Sequence, residues 1–289
     1  MAVSARATDT AVAPAGWKAQ LSLHYTHRDG RTGAHDRHEG PLRVLQRLYP
    51  EGPGICHHVI VHPPGGVVGG DELRVDARLD EGTHAVVTTP GATRFYRSDG
   101  PLALQHSTLQ LAAGARLEWL PMETLAYSGC IAESRVVASL APGAEMMGWD
   151  LLGLGLPAAG QAFERGRFTQ HLELPGVWLE RGCLRAQDPL IPSPLGWAGQ
   201  TVLATLWFAA GEPLATARRE RLLDAARDTV RGHALVHRAG VTAVQPRVLV
   251  LRVLAPRVEP AMQLLAAARA AWRSAAWGLA AEPPRIWRT

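Results

Sequence analysis

From Trp17 to about Phe208 the chain alternates apolar or β-branched residues with polar ones in short runs, each closed by a break containing glycine or proline. A period of two sends successive side chains to opposite faces of an extended backbone, so these runs read as strands. The pattern predicts them over residues 19–25, 56–61, 73–79, 84–89, 103–111, 115–119, 134–140, 145–151, 167–174 and 177–185. They recur on a roughly ten-residue beat, too close for βαβ crossovers of about 30 residues. Asp80-Glu81-Gly82, Ala112-Ala113-Gly114-Ala115 and Ala141-Pro142-Gly143-Ala144 each fall in a turn between two such runs. Their likeness points to stacked hairpins or a coiled, layered sheet.

The period changes near Glu212. Residues 214–234 and 259–279 carry apolar side chains at helical spacing. Leu222, Leu223, Ala226 and Val230 share one face, and Met262, Leu265, Ala266, Arg269 and Trp272 border the other helix's face. Residues 244–254 between them read as a buried strand, with Pro246 near its start and Pro256 at its end. The prediction is a mainly β fold, a layered β-helix-like scaffold of many short strands with two α-helices near the C-terminus. Residues 1–16, rich in Ala, Thr, Pro and Ser without a period, read as a disordered lead-in. Residues 17–289 read as a single domain, β-rich over 17–211 and helix-containing over 212–289.

Composition narrows the function classes. With 289 residues and 47% hydrophobic content the chain can bury one large core. The 30 basic residues exceed the 26 acidic ones by little, Lys18 is the only lysine, and the charges are dispersed. Nothing forms a stripe able to neutralise a run of phosphates, which argues against nucleic acid. No apolar run is long enough to span a membrane and the N-terminus lacks signal-peptide form, so a cytoplasmic protein is expected. Cys56, Cys130 and Cys183 are an odd number at wide spacing, which reads as reduced thiols.

The distinctive stretch is His62-Pro63-Pro64-Gly65-Gly66-Val67-Val68-Gly69-Gly70-Asp71, a shaped loop between strands. It is neither a GxGxxG nor a Gly-Lys-Ser/Thr phosphate cradle, which argues against a GTPase or kinase. Asp71 there either caps backbone amides or serves a ligand. The later run Arg94-Phe95-Tyr96-Arg97 suits a protein interface, or a solvated turn with its aromatics packed inward.

Cys56, His58 and His62 fall at even offsets and would share a strand face, with His57 on the opposite one. A thiolate and two imidazoles could hold nickel or zinc, although their spacing matches no ligand motif. Glu118, Glu123, Asp150, Glu164 and Glu180 stand beside apolar residues. A buried carboxylate must be paired, protonated or metal-bound, so each marks either a structural bond or a functional point. No nucleophile has a base and an orienting partner in any recognisable motif, so no catalytic residue is assigned.

Five segments occur in order and together resemble the UreD (UreH) family of urease accessory proteins: CHHVIVHPPGGVVGGDEL from Cys56, TTPGATRFYRS from Thr88, LEWLPMETLAY from Leu117, WDLLGLGLPAAGQAFERG from Trp149 and PRIWRT from Pro284. The resemblance covers nearly the whole chain. It implies a non-enzymatic β-helical scaffold whose partners are UreF, the GTPase UreG through UreF, and the urease apoprotein. It also implies no permanently bound cofactor but transient Ni²⁺, passed along an internal water-filled path. Carried over by matching motif position, Asp71, Thr93, Glu123, Asp150, Glu164 and Glu180 would line that path. Oxygen ligands bind such an ion weakly enough to release it. Gln161 stands where the family usually has glutamate, Met122 where it usually has glutamine and Leu156 where it often has arginine.

Two other classes compete. A β-helix enzyme acting on a polysaccharide would use paired carboxylates such as Glu118 and Glu123. A metal-storage protein would need Cys56, His58 and His62 as ligands. With 47% hydrophobic residues and the broad partner surface that the resemblance implies, poor solubility alone is expected, relieved by UreF.

Overall fold

In the computed structural model, which describes residues 16–280 and 282–288, the period-two runs form strands divided between two facing sheets. The chain enters through an antiparallel hairpin, β1 (Lys18–Arg28) and β2 (Arg31–Glu39), then passes the short β3 (Arg43–Val44) to β4 (Ile55–Val61). It next winds as a coil. One turn is β5 (Glu72–Leu79), β6 (His84–Thr88) and β7 (Thr93–Phe95), and the next is β8 (Ala103–Leu111), β9 (Arg116–Leu120) and β10 (Thr124–Ala126). A third turn holds β11 (Ile131–Leu140) and the long β12 (Glu145–Leu154). A hairpin of β13 (Arg167–Leu174) and β14 (Trp178–Arg185) and then β15 (Val202–Ala210) follow. The chain finishes with α1 (Thr216–Arg231), a hairpin of β16 (Ala239–Gln245) and β17 (Val248–Ala255), and α2 (Val258–Trp277).

The first sheet runs β14-β13-β11-β8-β5-β1-β2 and the second β16-β17-β15-β12-β9-β6-β4-β3. Equivalent strands of the coil stack in parallel, β5 on β8 on β11 and β6 on β9 on β12. A third parallel column joins β7, β10 and the end of β12. The three similar turn phrases are the corners of this coil. Gly82, Gly114 and Gly143 all take positive φ, +69°, +66° and +75°, where an L side chain costs about 1–2 kcal/mol. Adjacent corners are laced by Ala112 N–H to Leu79 O and Ala141 N–H to Leu111 O, both 2.9 Å. Each corner joins strands of different sheets, so the coiled reading holds and the hairpin reading does not.

Two cores result. Between the sheets lie residues such as Leu21, Val75, Leu117, Phe168 and Trp207. Between the second sheet and the helices lie Met147, Trp149, Leu206, Phe208, Leu264 and Trp272. β12 is buried along its whole length because its alternate residues, Met146 and Leu152 against Met147 and Trp149, face the two cores. Helix α1 buries Leu222, Leu223, Ala226 and Val230, the face read from the sequence.

Two sequence expectations about the C-terminal part change. The strand expected over 244–254 is instead the second half of a hairpin, since Pro246 sits in the turn between β16 and β17. Helix α2 buries Ala261, Leu264, Leu265, Ala268 and Trp272 together with Arg269 and Arg273, while Met262 and Ala266 only border that face. The lead-in expected over 1–16 lies, apart from Gly16, outside the described residues. Among the described residues no helix is long and apolar enough to cross a membrane.

Candidate functional site

Along the inward faces of five strands the apolar period is broken once each by a polar residue, and the five breaks meet. Asp150 interrupts Met146 and Leu152 on β12, Thr205 stands between Leu203 and Trp207 on β15, and Arg252 between Val250 and Leu254 on β17. In the ladder Asp150 lies opposite Thr205 and Thr205 opposite Arg252, so the three form one row across the second sheet. From the first sheet Gln170 on β13 follows Phe168 by two positions and Glu180 on β14 follows Trp178 by two.

Two contacts bridge the gap between sheets. Gln170 Nε2 donates to Asp150 Oδ1 at 2.6 Å. Arg252 Nε donates to both Glu180 carboxylate oxygens at 3.1 Å, and its Nη2 also holds Oε2. The Glu180–Arg252 pair lies toward the surface, with side chains 18% and 42% exposed, whereas Asp150 and Thr205 are buried, at 8% and 0%. Among the described residues Thr205 Oγ1 has no hydrogen-bond partner, an uncommon state for a buried hydroxyl.

The bend of the coil places Asp150. β12 pairs with β9 as far as Gly148 and with β10 from Leu152, so Asp150 sits where its strand changes neighbour. Trp149, pointing the other way, anchors this split by donating from Nε1 to Pro121 O at 2.6 Å. Burial pushes the Asp150 carboxyl up to about 6, against the lowering effect of the Gln170 hydrogen bond and aided by the like charge of Glu180. The carboxyl therefore changes charge close to neutral pH.

The other residues read from the sequence are dispersed. Asp71 is a loop staple, its Oδ1 accepting from Trp17 N at 2.7 Å and its Oδ2 from Val68 N at 2.9 Å, which is the capping role. Glu123 borders a surface cleft of about 230 Å³ with Leu125, Leu156, Arg257 and Glu259. Thr93 and His62 line a second cleft beneath the Gly-rich loop. Glu164 is exposed. Of the six residues carried over, only Asp150 and Glu180 belong to the inter-sheet cluster.

Cys56 and His58 do share the inward face of β4, and His57 takes the opposite face, as the period required. His58 Nδ1 meets Tyr25 OH at 2.8 Å, another bridge between sheets, and burial holds the imidazole down at about 4. His62 lies beyond the strand end. Among the described residues no three His, Cys, Asp or Glu side chains gather in metal-holding geometry, so these three do not form a ligand triad. The aromatic pair divides: Phe95 is buried against Phe168 with ring centroids 5.4 Å apart, and Tyr96 packs edge-on to Tyr127. Gly66 is required beneath Tyr96, because a Cβ there would lie 2.0 Å from the ring.

Glu118 serves a different purpose. It faces the helices, fully buried, and accepts from Arg269 Nε at 2.6 Å and Arg273 Nε at 2.9 Å, with His84 Nε2 at 3.2 Å. Arg273 Nη2 reaches Glu51 at 2.7 Å, and Glu51 holds His57 at 2.8 Å. Burial opposes ionisation of Glu118, but the His84 hydrogen bond and the two guanidinium charges outweigh it and hold the carboxyl at about 2. A carboxylate so enclosed cannot pair with Glu123 to act on a polysaccharide.

Sequence reasoning missed Gln170, Thr205 and Arg252. The signal was present as polar breaks in the alternation of β13, β15 and β17, but which face is inward depends on the partner sheet.

The family model described as UreD urease accessory protein matches residues 18–288. A urease accessory protein UreD of Leptothrix cholodnii is 60% identical over 276 residues, covering 94% of this chain and 99% of its own. Those of Verminephrobacter eiseniae and Variovorax paradoxus are 59% and 56% identical with the same coverage. These likenesses extend over the coil, the inter-sheet cluster and the C-terminal helices alike. The chain belongs to the UreD family of urease accessory proteins.

Proposed function

We propose that this chain is a non-enzymatic scaffold of urease maturation that associates with UreF, with UreG through UreF, and with the urease apoprotein, and assists delivery of Ni²⁺ to the urease site. Family membership over nearly the whole chain carries this reading. It acts in the cytoplasm as one domain over residues 17–289, with no permanently bound cofactor. Glu118, the acid that a polysaccharide enzyme would need, is locked by two arginines, which favours the scaffold. Leu179, Leu190 and Leu195 are exposed apolar side chains, the last by 96%, and suit a partner-bound protein that is poorly soluble alone.

The nickel part rests on the inter-sheet cluster. A conduit needs ligands that bind weakly and let go, and two carboxylates beside a neutral amide and a hydroxyl meet that need better than a closed cage of thiolate and imidazole. Asp150 is the buried member and Glu180 the one nearer the surface; Glu123, Thr93 and His62 border surface clefts from which an ion could approach.

Co-purification of a tagged chain with UreF, UreG and apo-urease tests the scaffold. Stable association with concurrent urease activation is the expected result. Soluble, monodisperse protein that associates with none of the three would overturn it.

A further inference from the structure

The cation already present in the inter-sheet cluster is Arg252. Its guanidinium sits at the rim, 42% exposed by side chain, and covers Glu180, which leads inward to Asp150. β14 is the edge strand of the first sheet and β17 is next to the edge of the second, so the Glu180–Arg252 pair closes the open side of the sandwich. Behind it the buried Thr205 hydroxyl lies in the same row as Arg252 and has no partner among the described residues. A carboxylate pair alone would not define a cation site. The hydroxyl on the inward face of β15, between Asp150 and Arg252 in the ladder, supplies a further ligand oxygen that no described residue satisfies.

We propose that Arg252 is the internal counter-cation of a divalent-cation way station: it holds Glu180 in the metal-free protein, and an entering Ni²⁺ takes Glu180 and Asp150 as ligands as Arg252 swings out to solvent. The inference rests on the nickel-delivery reading and adds to it a gate. A guanidinium and a divalent ion cannot share one carboxylate at close range without mutual repulsion, so the two compete. Arginine is always charged and cannot be removed by deprotonation, so the competition persists at every physiological pH. Rim exposure lets the side chain leave by rotation, with no strand displaced. Competition keeps affinity low, and the returning guanidinium would expel the ion toward the next acceptor. Thr205 Oγ1 and water complete the oxygen set around the ion.

The test is equilibrium binding of Ni²⁺ to the full chain within its co-purified maturation complex, compared with the same complex lacking this chain, for wild type, Arg252→Gln, Arg252→Lys, Asp150→Asn and Glu180→Gln. The expected result is tighter binding by about tenfold in Arg252→Gln, near wild-type binding in Arg252→Lys, and weaker binding in Asp150→Asn and Glu180→Gln. A purely structural role for Arg252 would lower binding, because losing a structural ion pair loosens the site. Binding unchanged or weakened in Arg252→Gln, with the two carboxylate variants still impaired, overturns the gate alone. Binding unaltered in both carboxylate variants overturns the nickel path itself, whatever Arg252→Gln does.

Discussion

Gln170 on β13 donates a 2.6 Å hydrogen bond to Asp150 on β12, tying the two sheets at the one buried acid of the inter-sheet row. The bond satisfies one carboxylate oxygen and leaves the group able to hold a proton or lose it. Its carboxyl, raised to about 6 chiefly by burial, makes burial and ionisation opposed demands on one side chain.

That opposition has a sign. A raised folded-state value means the protonated acid is favoured in the fold, so its contribution is fully present below the unfolded value of about 4 and is lost as pH rises through about 6. Asp150→Asn, which keeps the acceptor for Gln170 and cannot ionise, should therefore be more stable than wild type above about pH 7, by at most ~3 kcal/mol, and nearly equal to it near pH 4. Thermal melts of the co-purified complex across this range check it. A constant difference at all pH values would mean that Asp150 does not titrate in the fold.

Glu118 should behave in the opposite way. Its carboxyl is held at about 2, so its contribution is present above the unfolded value and fades as pH falls toward 2. Glu118→Gln leaves Arg269 and Arg273 without their shared counter-charge, and breaking such a buried pair costs about 3–5 kcal/mol. Urea unfolding at neutral pH should show that loss, and the gap from wild type should narrow in acid. A loss of less than about 1 kcal/mol would remove this cluster as the clasp between α2 and the sheet.

Asp71 separates structure from transport. Its two oxygens accept the Trp17 and Val68 amides, so Asp71→Ala should destabilise the loop by about 1–3 kcal/mol and speed hydrogen exchange at those two amides. Nickel binding by the correctly folded fraction should stay at wild-type level. If binding falls while exchange at both amides is unchanged, Asp71 belongs to the ion path after all.

Much of this architecture was legible because burial follows period. β5 and β11 alternate cleanly, and the three corner phrases mark the coil since each must supply a residue at positive φ. β2 was missed because most of its residues are polar and exposed, leaving no apolar alternation to detect. The hairpin of β16 and β17 read as one strand because its turn proline looked like a start. The site was only half legible. Asp150 and Glu180 stand out as acids among apolar neighbours, but Arg252 is paired with Glu180 by a contact spanning 72 positions, and Arg269 with Glu118 by one spanning 151. Nothing local distinguishes those arginines from solvated ones.

In the proposed delivery of nickel, the ion passes through Asp150. The direct test is the nickel content and activity of urease matured with Asp150→Asn, beside Glu81→Gln at an exposed corner of the coil as control, with association of the partners verified for each. Asp150→Asn is expected to stay folded and assembled yet to lower both nickel content and activity by about tenfold, the effect of about 1.4 kcal/mol of lost ion affinity, while Glu81→Gln matches wild type. Full nickel loading and activity with Asp150→Asn would contradict it.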